Sequence, residues 1–371
     1  MIKHIELRNF KCFASLPIRT DRLTIIAGNN GAGKSSIIQS LLLLRQTYKD
    51  KILDLETQLR MNGDLVELGS ANAIHSVFSD DAPTEIRIWD DMMDEDELCV
   101  IVEDSTSEED VSRCKIEGDF SKAKEKMNLL NDDFVYLYAD RITPQSSYLK
   151  SVTSLTDSRI GDRQGHLAPY RLFEALAKGG KCVVPSENLR MNGEIVATNV
   201  SAWIAHIMGT INLNVVAEDK DPQTVKLRYE SIFNGRPLSS TPMNMAFGYS
   251  YLLPIVVGLL TAPKDSLFIV ENPEAHLHPS AQLKLGGMIA KAAEAGIQVF
   301  LETHSDHLLN GIRIAAHDHV LEANKVAIHF IYIDESNHHR SQEIRLDQDG
   351  TLNNWPEGFF NEWENALKSL F

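Results

Sequence analysis

The stretch that decides the fold runs Leu23-Thr24-Ile25-Ile26-Ala27-Gly28-Asn29-Asn30-Gly31-Ala32-Gly33-Lys34-Ser35-Ser36. An apolar run enters a glycine-rich turn, and the following SSIIQSLLLLRQTY, residues 35–48, has no Gly or Pro and keeps its apolar residues at helical spacing. A buried strand, a loop and a helix opening directly from that loop are the setting that the pattern GxxxxGK[ST] requires. Its physics is direct. Gly28, Gly31 and Gly33, with Asn29, Asn30 and Ala32 between them, let consecutive backbone N–H groups curl around phosphate oxygens, and the helix N-terminus opening at Ser35 and Ser36 adds a favourable dipole. In such a loop Lys34 reaches the β and γ phosphates and Ser35 supplies an oxygen to Mg2+. Upstream, Ile2, Ile5, Leu7 and Phe10 alternate with polar residues, which predicts short strands ahead of the buried one.

Composition bounds the rest. The chain has 371 residues, 43% of them hydrophobic and 24% charged, which is globular and not disordered composition. Thirty-six Lys and Arg against 52 Asp and Glu give a net charge of −16, so bulk attraction to DNA or anionic membrane is excluded and any nucleic-acid contact needs a local patch. No apolar run approaches a membrane span, and MIKHIELRNF is no secretory leader, so the expected location is cytoplasmic without membrane attachment. Cys12, Cys99, Cys114 and Cys182 lack the spacing of a zinc site or a disulfide framework.

Eleven acidic and no basic residues fall between Asp90 and Asp110, which reads as a solvated edge or insertion. Helices are expected near 172–177 and 200–209 and a strand over 225–233. Buried strands then alternate with helices again through SLFIVE, residues 283–295, IQVFLETH and the region of Leu308. A phosphate loop needs a carboxylate on a neighbouring buried strand to orient its metal, and Leu267-Phe268-Ile269-Val270-Glu271 supplies one far downstream.

GNNGAGKS, VENPEAHLHP and LETHSD together resemble the ABC-type ATPases of the RecF, Rad50 and OLD (overcoming lysogenization defect) group, closest in appearance to short bacterial defence ATPases of the Septu PtuA kind. IKHIELRNFKCF, YLYADRITPQSSY and LDQDGTLNNWPEGFF extend the likeness over most of the chain. The resemblance implies an α/β fold, an ABC-type P-loop NTPase with an inserted middle lobe: residues 1–85 and 236–371 as the two parts of the ATPase lobe and 86–235 as the insertion. It implies ATP and Mg2+ as cofactors, Walker A at Gly28 to Ser35, the Walker B acid at Glu271 and a γ-phosphate-sensing histidine at His304, with Lys11 approaching the nucleotide from the first strands. It also implies a head-to-tail dimer closed over nucleotide by a signature segment, here Asn244 to Tyr251, in which Gly248 permits close backbone approach and Ser250 offers a hydroxyl to phosphate.

Two departures matter. The segment lacks the usual LSGGQ, and the second of the two usual acids is Asn272. An amide positions water but accepts no proton at neutral pH, which slows hydrolysis unless Glu274 substitutes. A slow ATPase and an ATP-gated clamp therefore both stand. His276 and His278 read as structural or dimer contacts, Asp306 and His307 as a helix cap, Arg141 and Arg163 as groups that could meet phosphate or partner acids but are more often surface ion pairs, and Trp355 as packing. The tail acids Asp334, Glu335, Asp347 and Asp349 read as turn and surface residues and not a nuclease centre. Any cleavage is thus expected from a separate effector such as an HNH-type nuclease.

Overall fold

The computed structural model describes residues 1–55, 57–79, 82–91, 97–104, 106–150, 160–177, 182–360 and 367–370. The chain forms two compact units: residues 1–131 with 326–347 and 352–371, and residues 132–325 with 348–351.

In the first unit, β1 (Ile2–Phe10) and β2 (Phe13–Arg19) form a hairpin closed by Lys11 and Cys12, with Phe10 opposite Phe13. Ile2, Ile5, Leu7 and Phe10 are fully buried, as the alternation requires. β3 (Leu23–Gly28) is apolar throughout and feeds α1 (Lys34–Lys49), whose Ile37, Ile38 and Leu41 to Leu44 are buried. Along its whole length β3 lies parallel to β15 (Val326–Ile333), from Leu23 opposite Val326 to Gly28 opposite Ile331, and β16 (His339–Ile344) returns antiparallel to β15.

The division departs from a boundary at 85/86. β5 (Glu85–Asp90) pairs antiparallel with β1, and β6 (Glu97–Val102) and β7 (Val111–Glu117) extend that sheet to β4 (Gln58–Arg60). The acidic stretch is thus no plain solvated insertion: it contains β6, with Leu98, Cys99, Val100 and Val102 buried, and begins at a buried Asp90 that accepts a hydrogen bond from the Met1 amino group at 2.7 Å. Residues 92–96 and 105 of that stretch lie outside the described residues.

In the second unit, β8 (Phe134–Leu137), β13 (Leu267–Glu271) and β14 (Gln298–Glu302) run parallel, with Glu271 and Glu302 in register at their carboxyl ends. A smaller antiparallel sheet of β10 (Asn214–Asp221), β11 (Thr224–Phe233) and β12 (Arg236–Ser240), with β9 (Tyr148–Leu149) paired to β11, packs on α2 (Ala168–Ala177). α3 (Val196–Met208) packs on β10 and on α4 (Phe247–Thr261), which is buried around nearly its full circumference. Among the described residues no helix is long and apolar enough to cross a membrane.

α5 (Pro279–Glu294) and α6 (Asp306–His317) meet where two glycines face each other. A Cβ at Gly286 would lie 2.2 Å from the Leu308 carbonyl oxygen, and one at Gly311 2.0 Å from that of Leu283. Both obstacles are backbone, so the helices must separate to admit a methyl group. Gly286→Ala and Gly311→Ala should each cost about 1–3 kcal/mol, read as a lowered thermal midpoint, whereas Gly287→Ala, where a Cβ meets nothing within 4 Å, should leave it unchanged or raised.

Candidate nucleotide site

The phosphate loop lies wholly in the first unit. Gly28 ends β3 with φ 147°, and a Cβ there would sit 2.1 Å from the Ile331 carbonyl oxygen on β15. Gly33, at φ 105°, caps α1, and a Cβ would meet Cys12 Sγ at 2.5 Å and Phe13 Cζ at 2.7 Å. The β1–β2 turn therefore presses on the loop so closely that only glycine fits. Ala32 N–H donates to the Asn29 carbonyl at 3.2 Å and Ser36 N–H to that of Gly33 at 3.0 Å. The Lys34 ammonium is buried and donates to the carbonyls of Gly28 and Asn29, each at 2.9 Å. Lys11 donates from Nζ to Gln39 Oε1 at 2.7 Å, beyond the loop on α1, and burial lowers its proton affinity. The Ser36 hydroxyl bonds the Cys12 thiol. A loop of helix-terminal N–H groups with a buried ammonium at its centre fits a triphosphate.

The acid end lies in the second unit. Glu271 closes β13 and is buried, and its Oε1 accepts from the Tyr136 hydroxyl at 2.8 Å. Burial, then the negative charge of Glu302 on the next strand, push its carboxyl up to about 7. Arg141 is almost fully buried. It donates to the carbonyls of Tyr138 at 3.0 Å, Glu271 at 2.8 Å and Asn272 at 2.8 Å, and its guanidinium lies 5.1 Å from the Tyr251 ring centre. Desolvation lowers its pKa to about 10. Asn272 turns the chain at φ 44°, its N–H donating to the Glu302 carbonyl at 2.9 Å. Glu274 Oε1 accepts from the His304 N–H at 2.7 Å, and burial raises its pKa. Glu271, Asn272, Glu274 and the exposed His304 are thus gathered at the carboxyl ends of β13 and β14. Among the described residues no group of three or more His, Cys, Asp or Glu is placed to hold a metal, so Glu271 does not belong to an all-protein cage of such groups, and Mg2+ usually keeps several water and phosphate ligands.

Several expectations change. Arg141 is no surface ion-pair residue. Its partners are backbone carbonyls, two of them 130 and 131 positions away, and the only sequence sign of it is that YLYADR places an arginine just past an apolar strand. Tyr136, in the same segment, is the hydroxyl partner of Glu271, and nothing near it in the sequence marks that role. Ser250 does not face outward: it is buried on α4 and bonds the Tyr148 hydroxyl, because a helix buried on nearly all sides must satisfy its polar groups internally. Gly248 does permit close approach, but what approaches is the His276 carbonyl, 2.7 Å from where its Cβ would lie. The His276 ring packs 4.5 Å from Tyr251 and 4.8 Å from Phe247, while His278 Nδ1 accepts from the Ser280 N–H at the start of α5. The cap of α6 is Ser305, whose Oγ accepts from the Leu308 N–H at 3.0 Å, and not Asp306 or His307. Arg163 lies over the Tyr138 ring, and Trp355 packs edge-on against Phe359. Asp334 and Asp349 organise turns, accepting from the N–H groups of Ser336 and Thr351.

Since burial raises the Glu271 carboxyl, the fold takes up a proton there between about pH 4.5 and 7. The stability tied to this group is complete below the unfolded value and is lost as pH rises through about 7. Glu271→Gln should therefore stabilise the nucleotide-free protein at pH 8.5, by an amount on the order of 3 kcal/mol at about 1.4 kcal/mol per tenfold change in proton affinity, and by progressively less toward pH 6. Thermal midpoints across that range check it, and a difference independent of pH would contradict it.

A family model described as "AAA domain, putative AbiEii toxin, Type IV TA system" matches residues 23–310, and one described as a protein of unknown function (DUF3696) matches residues 321–370. Among solved structures, an Smc head bound to the C-winged helix domain of ScpA is 13% identical with a TM-score of 0.54, over 94% of this chain and 98% of that one. An Smc head with an extended coiled coil bound to the C-terminal domain of ScpA, from Pyrococcus furiosus, is 14% identical with a TM-score of 0.52, over 100% and 98%. An Smc head with a coiled coil and joint from Pyrococcus yayanosii is 12% identical with a TM-score of 0.51, over 99% of each chain. No curated protein matches the chain. At these identities the structural likeness is one of fold, that of ABC-type ATPase heads, and the family match takes in both the phosphate loop and the acid-tipped strand: the chain belongs to the AAA-domain family of the AbiEii description.

Proposed function

We propose that this protein binds ATP with Mg2+, hydrolyses it slowly and uses its nucleotide state, as a head-to-tail dimer, to control a separate effector in bacterial anti-phage defence or DNA processing. The observation that carries hydrolysis is a pair of buried acceptors just past Glu271. Asn272 Oδ1 and Glu274 Oε2 have no hydrogen-bond partner among the described residues, and buried acceptors without protein partners suit an ordered water. In this reading the loop N–H groups and Lys34 bind the phosphates, Ser35 and Glu271 would hold the cation, Asn272 orients water, and Glu274, whose proton affinity burial has raised, takes the proton. Mg2+ would neutralise charge on the phosphate oxygens. His304, exposed beside Glu274, senses the γ-phosphate.

The effector half of the proposal has support of a different kind. Two of the similar Smc heads were solved bound to domains of ScpA, so heads of this fold carry partner proteins, and the family description places the AAA domain with a toxin system. A separate HNH-type nuclease is the effector we favour. Nucleic acid, at a net charge of −16, would touch only a local patch.

A second reading, an ATP-occupied clamp with almost no turnover, rests on Asn272 standing where a base is usual. Phosphate release separates the two. Lys34→Ala should lower release about 10²-fold or more, and unchanged release would overturn the ATPase reading. Asn272→Glu should raise turnover about 10- to 100-fold if a missing base limits the rate. Tight ATP binding with no release in wild type, gained only in Asn272→Glu, would establish the clamp.

A further inference from the structure

Beside the phosphate loop, the first unit carries a shelf of rings that the reading above leaves unused. The segment after Ile74 is clipped to the end of β1: His75 bridges to Phe10, Ser76 N–H donates to the Asn9 carbonyl at 3.0 Å, and Asn9 Nδ2 donates to the carbonyls of Ala82 and Pro83. This segment presents Val77 and Phe78, 88% and 39% exposed. Opposite stands the β15–β16 turn, held by Asp334, which accepts from the N–H groups of Ser336 and His338 at 2.9 Å and from Arg340 Nε at 3.1 Å. The turn delivers His338 and His339 to Phe78, with ring centres 5.5 and 6.5 Å away. His339 is itself tied to the phosphate loop, since its Nδ1–H donates to the Ala32 carbonyl at 2.7 Å, and its ring meets the edge of Phe13 at 86°.

An aromatic ring left accessible on a braced turn, joined by one hydrogen bond to a loop shaped for phosphate, has the chemistry of a base-stacking surface. We infer that Phe78 and His338, with His339 fixing their position against Ala32, form the surface on which the base of the bound nucleotide stacks. Stacking grows with the π-face in contact, which favours a purine over a pyrimidine. The inference rests on the triphosphate reading of the phosphate loop, and it adds the part of the ligand that the loop cannot recognise.

Calorimetry on the full chain with ATP, UTP and inorganic tripolyphosphate separates the two. Wild type should bind ATP more tightly than UTP, and both more tightly than tripolyphosphate. Phe78→Ala should weaken ATP about tenfold, erase the preference over UTP and leave tripolyphosphate unchanged, while Phe78→Trp should keep or tighten ATP. His338→Ala should weaken ATP alone, by less. Phe78→Ala with wild-type ATP affinity overturns the shelf and spares the phosphate loop. A loss of ATP and tripolyphosphate in equal measure in Phe78→Ala, with no recovery in Phe78→Trp, also overturns it, because the residue would then only support the loop. Wild type that takes up neither ligand brings down the triphosphate site itself, and the shelf with it.

Discussion

A carboxylate sunk at the end of a buried strand, opposite a second one on the next strand, is costly to ionise, and the second unit is arranged around that fact. Glu271 and Glu302 stand in register on β13 and β14, and their mutual repulsion adds to desolvation. Tyr136 donates to Glu271 from β8, and Arg141 sets a guanidinium beneath the strand end. Arg141 does this without closing a carboxylate pair. Its donors go to three carbonyls, so its charge supports the turn at Asn272 without engaging a carboxylate oxygen. The same guanidinium lies against Tyr251 near the start of α4, which joins the acid turn to that helix.

What could be read from the chain follows from how local each signal is. β3, the glycine loop and α1 are contiguous, and each residue's role there depends on neighbours a few positions away, so the pattern carries its own context. The place of Glu271 at the end of a buried strand was legible because an apolar run closed by an acid has few other readings. Arg141 was not, because it gains its role from carbonyls at positions 271 and 272, and nothing near 141 encodes them.

The acidic stretch misled for a physical reason. Charge density dominates its composition, whereas the strand inside it shows itself only through burial of Leu98, Val100 and Val102 against a sheet begun at residue 2. Ser250 shows the opposite limit. The resemblance implies a hydroxyl offered to phosphate there, but the burial of α4 decides which way each side chain turns, and tertiary packing is not written into eight residues.

The facing glycines of α5 and α6 have a mechanical meaning. Helices whose backbones touch cannot slide or roll independently, and Ser305, at the head of α6, is fastened to Gln282 of α5 by a 2.6 Å hydrogen bond. The pair is in effect one stiff strut, with His304 at its near end and the turns at Ala295 and Asp318 at its far end. Whatever displaces the head of α6 therefore bears on α5 as well, through that hydrogen bond and the glycine contact.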